Sequence, residues 1–256
     1  MRAHATPNVA PMSSAVASAR TNPGAPLRSG RTRTLHVARE RGEISAVRAR
    51  RLLDAMLRSL SLRDPTTARH SAAVARYARE LAVANGAWPA QQRLVHTAGL
   101  LHDIGKFILP DSILLTKRGL SAQEWELVKR HPAASADIVS HLPGYEQVAL
   151  AILHHHERID GSGYPAGLRG NEIPWISRVI SVADAYDAMT GRDSYSRLRS
   201  VDDAVTELQR VAGTQLDAQL VGSFVELLGN GTVAFRHADE ADFEAELAIE
   251  HSFAAG

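Results

Sequence analysis

The stretch Leu153-His154-His155-His156-Glu157-Arg158-Ile159-Asp160-Gly161-Ser162-Gly163-Tyr164-Pro165 ends an apolar run with adjacent imidazoles and a carboxylate, then enters a glycine-rich turn. Imidazole and carboxylate are the usual ligands of catalytic divalent metals, and glycines let a backbone turn sharply beside a ligand. A second pair, His102-Asp103, closes another apolar stretch. Successive side chains on a helix diverge by roughly 100°. Each adjacent pair is therefore expected to address two ions rather than to chelate one, with the Asp103 carboxylate bridging. Further candidates stand on separate predicted helices: His70, His131 and Asp184. Asp184 interrupts a run that otherwise reads as core, and a carboxylate buried there needs a cation or a proton. His70, His102, Asp103, His131, His155, His156 and Asp184 together supply about three ligands to each of two ions, one of them shared, and leave positions open for water and substrate. Taken alone, His70 would more often be a surface histidine and His131 a helix-end cation. Nothing in the sequence organises chemistry around His96, His141 or His154.

These groups need helices to hold them. Apolar residues recur at helical spacing from Ile44 to Leu62, through Val47, Leu52, Leu53, Met56, Leu57 and Leu60. Pro65 suits the first turn of the next helix, which carries Ala68, Ala72, Ala75, Ala78 and Leu81 and stops at Asn85-Gly86. Pro89 opens a helix that runs into His102-Asp103. Ser121 and Glu124 form a capping box. Tyr145 to His156 and Ile176 to Thr190 read as helical, the latter with Val179, Val182, Ala183 and Tyr186 inward. Helices near Val201–Val211 and Ala218–Leu228 close the bundle. Thr232–Phe235 is the one strand candidate, and Asp239 to Glu250 reads as an acidic, exposed helix.

The 256 residues fit one large domain with extensions and can bury a substantial core. Residues 1–34, rich in Ala, Ser, Pro, Gly and Arg, read as a disordered segment. Residues 35–62 read as a helical extension, 63–230 as the catalytic domain, and 231–256 as a tail. The arginine excess between Arg28 and Arg51 is a solvated helix face or a contact for an acidic partner. The stripe from Ile44 to Leu62 packs on its own domain or forms a homodimer seam. With no cysteine, a metal must be held by His, Asp, Glu or water, which fits a reducing compartment. A net charge of +1 argues against a DNA binder. No apolar run reaches the roughly 18 residues of a membrane span, and Met1 to Ser29 lacks a signal-peptide core, so the chain reads as cytoplasmic.

His102-Asp103-Ile104-Gly105-Lys106 resembles the signature of the HD hydrolase superfamily, and His155 to Pro165 resembles the second signature of its HD-GYP branch. The likeness runs from about Asp64 to Leu228. It includes Pro110-Asp111-Ser112-Ile113-Leu114, His131 and Ala183-Asp184-Ala185-Tyr186-Asp187-Ala188. The resemblance implies an all-α fold, an HD-type helical bundle around a dinuclear metal centre. It implies hydrolysis of the bacterial second messenger cyclic di-GMP to pGpG, and to GMP in some members, through a metal-bridging hydroxide. It carries metal ligation onto His70, His102, Asp103, His131, His155, His156 and Asp184, with Asp103 bridging. Iron or manganese is favoured, and zinc tolerated. Lys106 matches a lysine near the scissile phosphate, where it adds positive charge to the phosphoryl group. Asp160 is a candidate proton donor to the leaving group, with metal-bound water as the alternative. Glu157 either orients the neighbouring ligands or pairs with Arg158 at the surface. Gly163, Tyr164 and Pro165 match the loop that names the branch, which shapes the pocket rim and in the family also meets partner signalling domains such as diguanylate cyclases.

The sequence departs from the family in two places that bear on function. Thr66 stands where some members carry a glutamate ligand for a third metal, which predicts two ions here. The substrate-binding segment Asp-Arg-Pro-Tyr-Arg reads Arg192-Asp193-Ser194-Tyr195-Ser196-Arg197, so its basic positions become Asp193 and Ser196. An aspartate beside a dianionic substrate repels it by roughly 1 kcal/mol, and Arg192 and Arg197 flank the lost positions. Another cyclic dinucleotide as substrate, or a metal-bearing interaction module, are the alternatives to a cyclic di-GMP phosphodiesterase. Leu216-Asp217-Ala218, in place of Phe-Asp-Pro, reads as a packing change.

Overall fold

A computed structural model describes residues 48–49, 51–116, 118–191, 199–231 and 241–252. Among them the secondary structure is helical, with no strand and one isolated bridge between Ala212 and Leu216. The expected disordered segment, the strand candidate Thr232–Phe235 and the segment Arg192 to Arg197 lie outside the described residues. Helix α1 spans residues 51–63. It is followed by α2 (Pro65–Ala84), α3 (Pro89–Leu101), a 3-10 turn (Ile104–Ile108), α4 (Asp111–Leu114), α5 (Ala122–Val128), α6 (His131–Ser140) and α7 (Glu146–Leu153). Then come α8 (Trp175–Thr190), α9 (Val201–Val211), α10 (Ala218–Gly229) and α11 (Phe243–Ser252). No helix of the described residues is long and apolar enough to cross a membrane.

Helix α2 is the hub. The Asp64 carboxylate accepts from the amides of Thr66 and Thr67, and Pro65 supplies a first-turn residue whose missing N–H costs nothing. Gly86, at φ 76°, follows the Asn85 cap where the chain leaves the helix. The buried alanines of α2 let neighbours approach closely. A Cβ on Gly99 of α3 would lie 2.6 Å from the Ala75 Cα, so only glycine fits that crossing. Opposite, Tyr77 of α2 meets Tyr186 of α8 and Phe224 of α10 edge to face, with centroids 5.3 and 5.9 Å away. This fully buried trio fixes α2 against α8, the helices that carry His70 and Asp184. Leu53, Leu57 and Leu60 of α1 join the buried core, whereas Leu52, expected in the same stripe, is 54% exposed.

Two expectations are corrected. Helix α7 ends at Leu153, before His155 and His156. The Nδ1–H of His155 donates to the Ile152 carbonyl at 2.6 Å, occupying the acceptor that the His156 amide would use if the helix continued. The acidic C-terminal helix is docked rather than exposed. Phe243 and Leu247 of α11 enter the core, and Glu246 is buried. Glu246 reaches His96 Nε2 at 2.9 Å, and Glu250 reaches His96 Nδ1 at 3.3 Å and the Thr97 hydroxyl at 2.7 Å. His96, to which the sequence assigned no role, is thus the buried partner of two glutamates. It was illegible because its partners lie 150 and 154 residues away. Burial pushes its pKa down, but the bonds to Glu246 and Glu250 outweigh burial and leave it raised.

Candidate metal centre

The structure brings all seven sequence-predicted side chains into one cup. His70 comes from α2, His131 opens α6, Asp184 sits on α8, His102-Asp103 follow α3, and His155-His156 follow α7. They form three overlapping groups whose candidate ligand atoms all lie within 4.8 Å of one another: His131, His155 and His156; His70, His102 and Asp184; and His102, Asp103 and His155. Adjacent ligands therefore do share a group, contrary to the helical-divergence expectation. Both pairs lie in turns past the helix ends, where the 100° rule for helical side chains does not apply. The His155 and His156 rings lie side by side, with centroids 4.0 Å apart.

One local device orients three of the imidazoles. The Nδ1–H groups of His102, His131 and His155 donate to the carbonyls of Gly99, Val128 and Ile152, each three residues back, at 2.8, 2.7 and 2.6 Å. At His131 the device is open because Pro132 has no N–H to claim the Val128 carbonyl. This fixes the tautomer and leaves each Nε2 a lone pair aimed inward. His70 is set differently. Its Nδ1 lies 2.6 Å from Asp187 Oδ2 and its Nε2 3.1 Å from Asp184 Oδ1. Asp187 is a functional neighbour that the sequence reading missed, although its place one helical turn after Asp184 puts it on the same face.

These residues fit a metal. His102 Nε2 is buried with no hydrogen-bond partner among the described residues. His131 Nε2 and His155 Nε2 face each other at 3.4 Å, two lone pairs that only a cation or a proton reconciles. Burial pushes the pKa values of His102, His131, His155 and His156 down, His131 to about 3, so they are unprotonated at neutral pH. Burial alone would raise the Asp103 and Asp184 carboxyls. Lys106, His102 and His131 hold the first well below the usual range, and the hydrogen bond from His70 holds down the second. Burial also pushes His70 down, but its bonds to Asp184 and Asp187 prevail and raise it to about 10. A cation arriving here displaces that proton.

Asp103 stands between the groups. Its Oδ1 is 3.2 Å from His131 Nε2, while its Oδ2 is 3.4 Å from His102 Nε2, 3.7 Å from His70 Nε2 and 2.6 Å from Lys106 Nζ. Ser135 locks this turn to α6: its hydroxyl donates to the His102 carbonyl at 2.7 Å and accepts from the Gly105 amide at 2.8 Å. Ser135, one turn beyond His131, is a second positioning residue that the sequence reading missed. A Cβ on Gly105 would lie 2.3 Å from the His131 carbonyl oxygen and 2.4 Å from the Ser135 amide nitrogen. Gly105→Ala is therefore expected to force the His102 turn off α6, lowering stability by roughly 1–3 kcal/mol in urea unfolding and weakening metal binding in the same protein.

The loop after His156 is organised by Glu157, which does not pair with Arg158 at the surface. Glu157 is buried, and its carboxylate accepts from the amides of Ala166 at 2.6 Å, Gly167 at 3.1 Å and Leu168 at 3.1 Å. Arg158 turns instead to Asp160, Ser162 and Gln215. Asp160 is fully engaged in the turn: it pairs with Arg158 and accepts from the Ser162 amide and hydroxyl. Those bonds, Arg158 first, hold its carboxyl below the usual range. Gly163 packs against the backbone of His156, Glu157 and Arg158 with no space for a Cβ. Tyr164, joined to Pro165 by a cis peptide, lays its ring against that of His156. Burial, then the charges of Asp184 and Asp103, raise the Tyr164 pKa and keep its hydroxyl protonated. Arg192 lies outside the described residues.

The HD domain family model matches residues 54–220. The chain belongs to the HD domain family. Its paired His-Asp and Gly-Tyr-Pro signatures place it in the HD-GYP branch, as the resemblance implied. It is 34% identical over 182 residues to a cyclic di-GMP phosphodiesterase of Thermotoga maritima, covering 70% of this chain and 50% of that one. It is 33% identical over 170 residues to 3'3'-cGAMP-specific phosphodiesterase 3 of Vibrio cholerae, covering 65% and 36%. The fold matches an HDG"Y"P protein from Bdellovibrio bacteriovorus with a TM-score of 0.53 at 24% identity, covering 62% of this chain and 51% of that one. The chain spans half the length of the first of these relatives and about a third of the second.

Proposed function

We propose that this chain is a metal-dependent phosphodiesterase that opens cyclic di-GMP to linear pGpG. His131, His155 and His156 would hold one divalent ion and His70, His102 and Asp184 the other, with the Asp103 carboxylate available to both groups. The observation that carries the reading is the Asp103 carboxylate, whose two oxygens face histidines of both groups. A nitrogen- and oxygen-only ligand set suits iron or manganese. When bound, the two ions supply Lewis acidity and a water acidic enough to ionise near neutral pH.

The chain's own residues do the rest. The carbonyl-bonded Nδ1 atoms hold the imidazoles still, so the ligand set is assembled before substrate arrives. Lys106 extends from the turn that carries Asp103 and places positive charge beside a developing phosphorane. Asp160 or a water at the site gives a proton to the leaving ribose oxygen as its bond to phosphorus breaks.

The test is to incubate manganese-loaded protein separately with cyclic di-GMP and 3'3'-cGAMP and to separate the products by chromatography. Conversion of cyclic di-GMP to pGpG is expected, and no turnover of either would overturn the reading. A second reading, preference for the mixed dinucleotide, is favoured by the likeness to a cGAMP-specific relative and by Asp193 and Ser196 at positions where the family is basic. It predicts faster loss of 3'3'-cGAMP in the same assay.

A further inference from the structure

His156 is the odd member of the cup. His102, His131 and His155 each have a ring nitrogen tied to a backbone carbonyl, and His70 has one tied to Asp187. No hydrogen bond to the His156 ring is found among the described residues. Its ring is instead enclosed by other rings: His155 at 4.0 Å, His131 at 5.0 Å and Tyr164 at 5.0 Å, the last tilted 32° to it. His155 and His131 belong to the same candidate ligand group, so Tyr164 is the wall from outside that group.

That wall is anchored by the residue next to His156. Glu157 gathers the amides of Ala166, Gly167 and Leu168, which pulls the far side of the loop back under the turn. The Tyr164 amide donates to the His156 carbonyl at 3.2 Å, and Gly163 lies flat on the backbone of residues 156–158. Backbone and ring of Tyr164 therefore both bear on His156.

We infer that Tyr164, clasped in place by Glu157, is a positioning residue that sets the His156 ring for metal by stacking. This rests on the reading of His156 as a ligand and assigns the Gly-Tyr-Pro loop a role in metal retention, distinct from contact with substrate. The ring is what matters, so phenylalanine replaces tyrosine and alanine does not. Glutamine at 157 presents one acceptor and one NH2 to three N–H donors, so the clasp opens at Leu168 or at Ala166 and Gly167.

The experiment is titration of metal-free protein with manganese(II), following the free ion by electron paramagnetic resonance, alongside kcat and KM for cyclic di-GMP. Tyr164→Ala is expected to weaken manganese binding by roughly 10- to 100-fold, with Tyr164→Phe within about twofold of the parent. Glu157→Gln is expected to weaken binding in the same direction, and it carries the test if Tyr164→Ala does not fold. Unchanged manganese affinity in the alanine variant, with only KM raised, would make Tyr164 a substrate contact and overturn the clasp while leaving the hydrolase reading intact. Equal loss in the phenylalanine and alanine variants would assign the effect to the hydroxyl and overturn stacking. A parent protein that takes up no manganese would remove the metal reading and the clasp with it.

Discussion

Alanine at both His102 and Asp103 is expected to strip bound metal from the protein and to lower phosphodiester turnover by about 10³-fold or more, because a bound ion lowers the pKa of water from about 15.7 to about 7. The pair is chosen because its members recur: His102 belongs to two of the three ligand groups, and Asp103 faces histidines of both proposed sites. No neighbour can substitute. Gly105 and Ser135 pin the turn, and Lys106, which follows on the same turn, brings the wrong charge for a cation. Metal analysis and product chromatography on the same preparation check the result, with circular dichroism to show that the helices persist. Turnover surviving without metal would reject the site. Metal retained with turnover lost would move the ions away from this pair.

Much of the scaffold was legible because its signals are local. Asp64-Pro65 and Asn85-Gly86 bracket α2 through a cap, a pre-set φ and a left-handed exit, each acting within a few residues. The ligands were legible for a different reason: His102-Asp103 and His155-His156 fall at the ends of apolar runs, where a polar cluster has no packing role. What could not be read was how those ends are finished. The helical period implies diverging neighbours, yet a histidine ring that captures the carbonyl three residues back stops the helix and turns two neighbours toward one cavity. Asp187 and Ser135 sit one turn from ligands on the same helix faces, so periodicity could have found them. The partners of Glu157 could not be read, because they are main-chain amides, which carry no sequence signal. The docking of α11 was hidden by its composition. An acidic helix reads as solvated until a histidine 150 residues upstream proves to be its partner.

That partner sets the second large effect. His96→Ala is expected to lower stability by about 3–5 kcal/mol, or roughly 10 °C in Tm for a chain of this size. The cost comes less from the lost bonds than from what remains: the Glu246 side chain is 5% exposed and faces the emptied site, and a buried carboxylate without a partner must be protonated or hydrated. Replacing both partners with leucine, His96→Leu with Glu246→Leu, removes the charge along with its counterpart and should recover most of the loss. Glu250 keeps the Thr97 hydroxyl in that variant. The pH dependence has a definite sign. The folded-state pKa of His96 is raised, so its contribution is fully present below the free imidazole value near 6.5 and declines as pH rises through the raised value. Urea unfolding of the parent across that range should show stability falling on the alkaline side, and the double-leucine variant should be flatter there. Equal stability of parent and His96→Ala at pH 6 would mean that α11 is held by Phe243 and Leu247 alone. The buried pair would then serve to select the register of the helix rather than to hold it down.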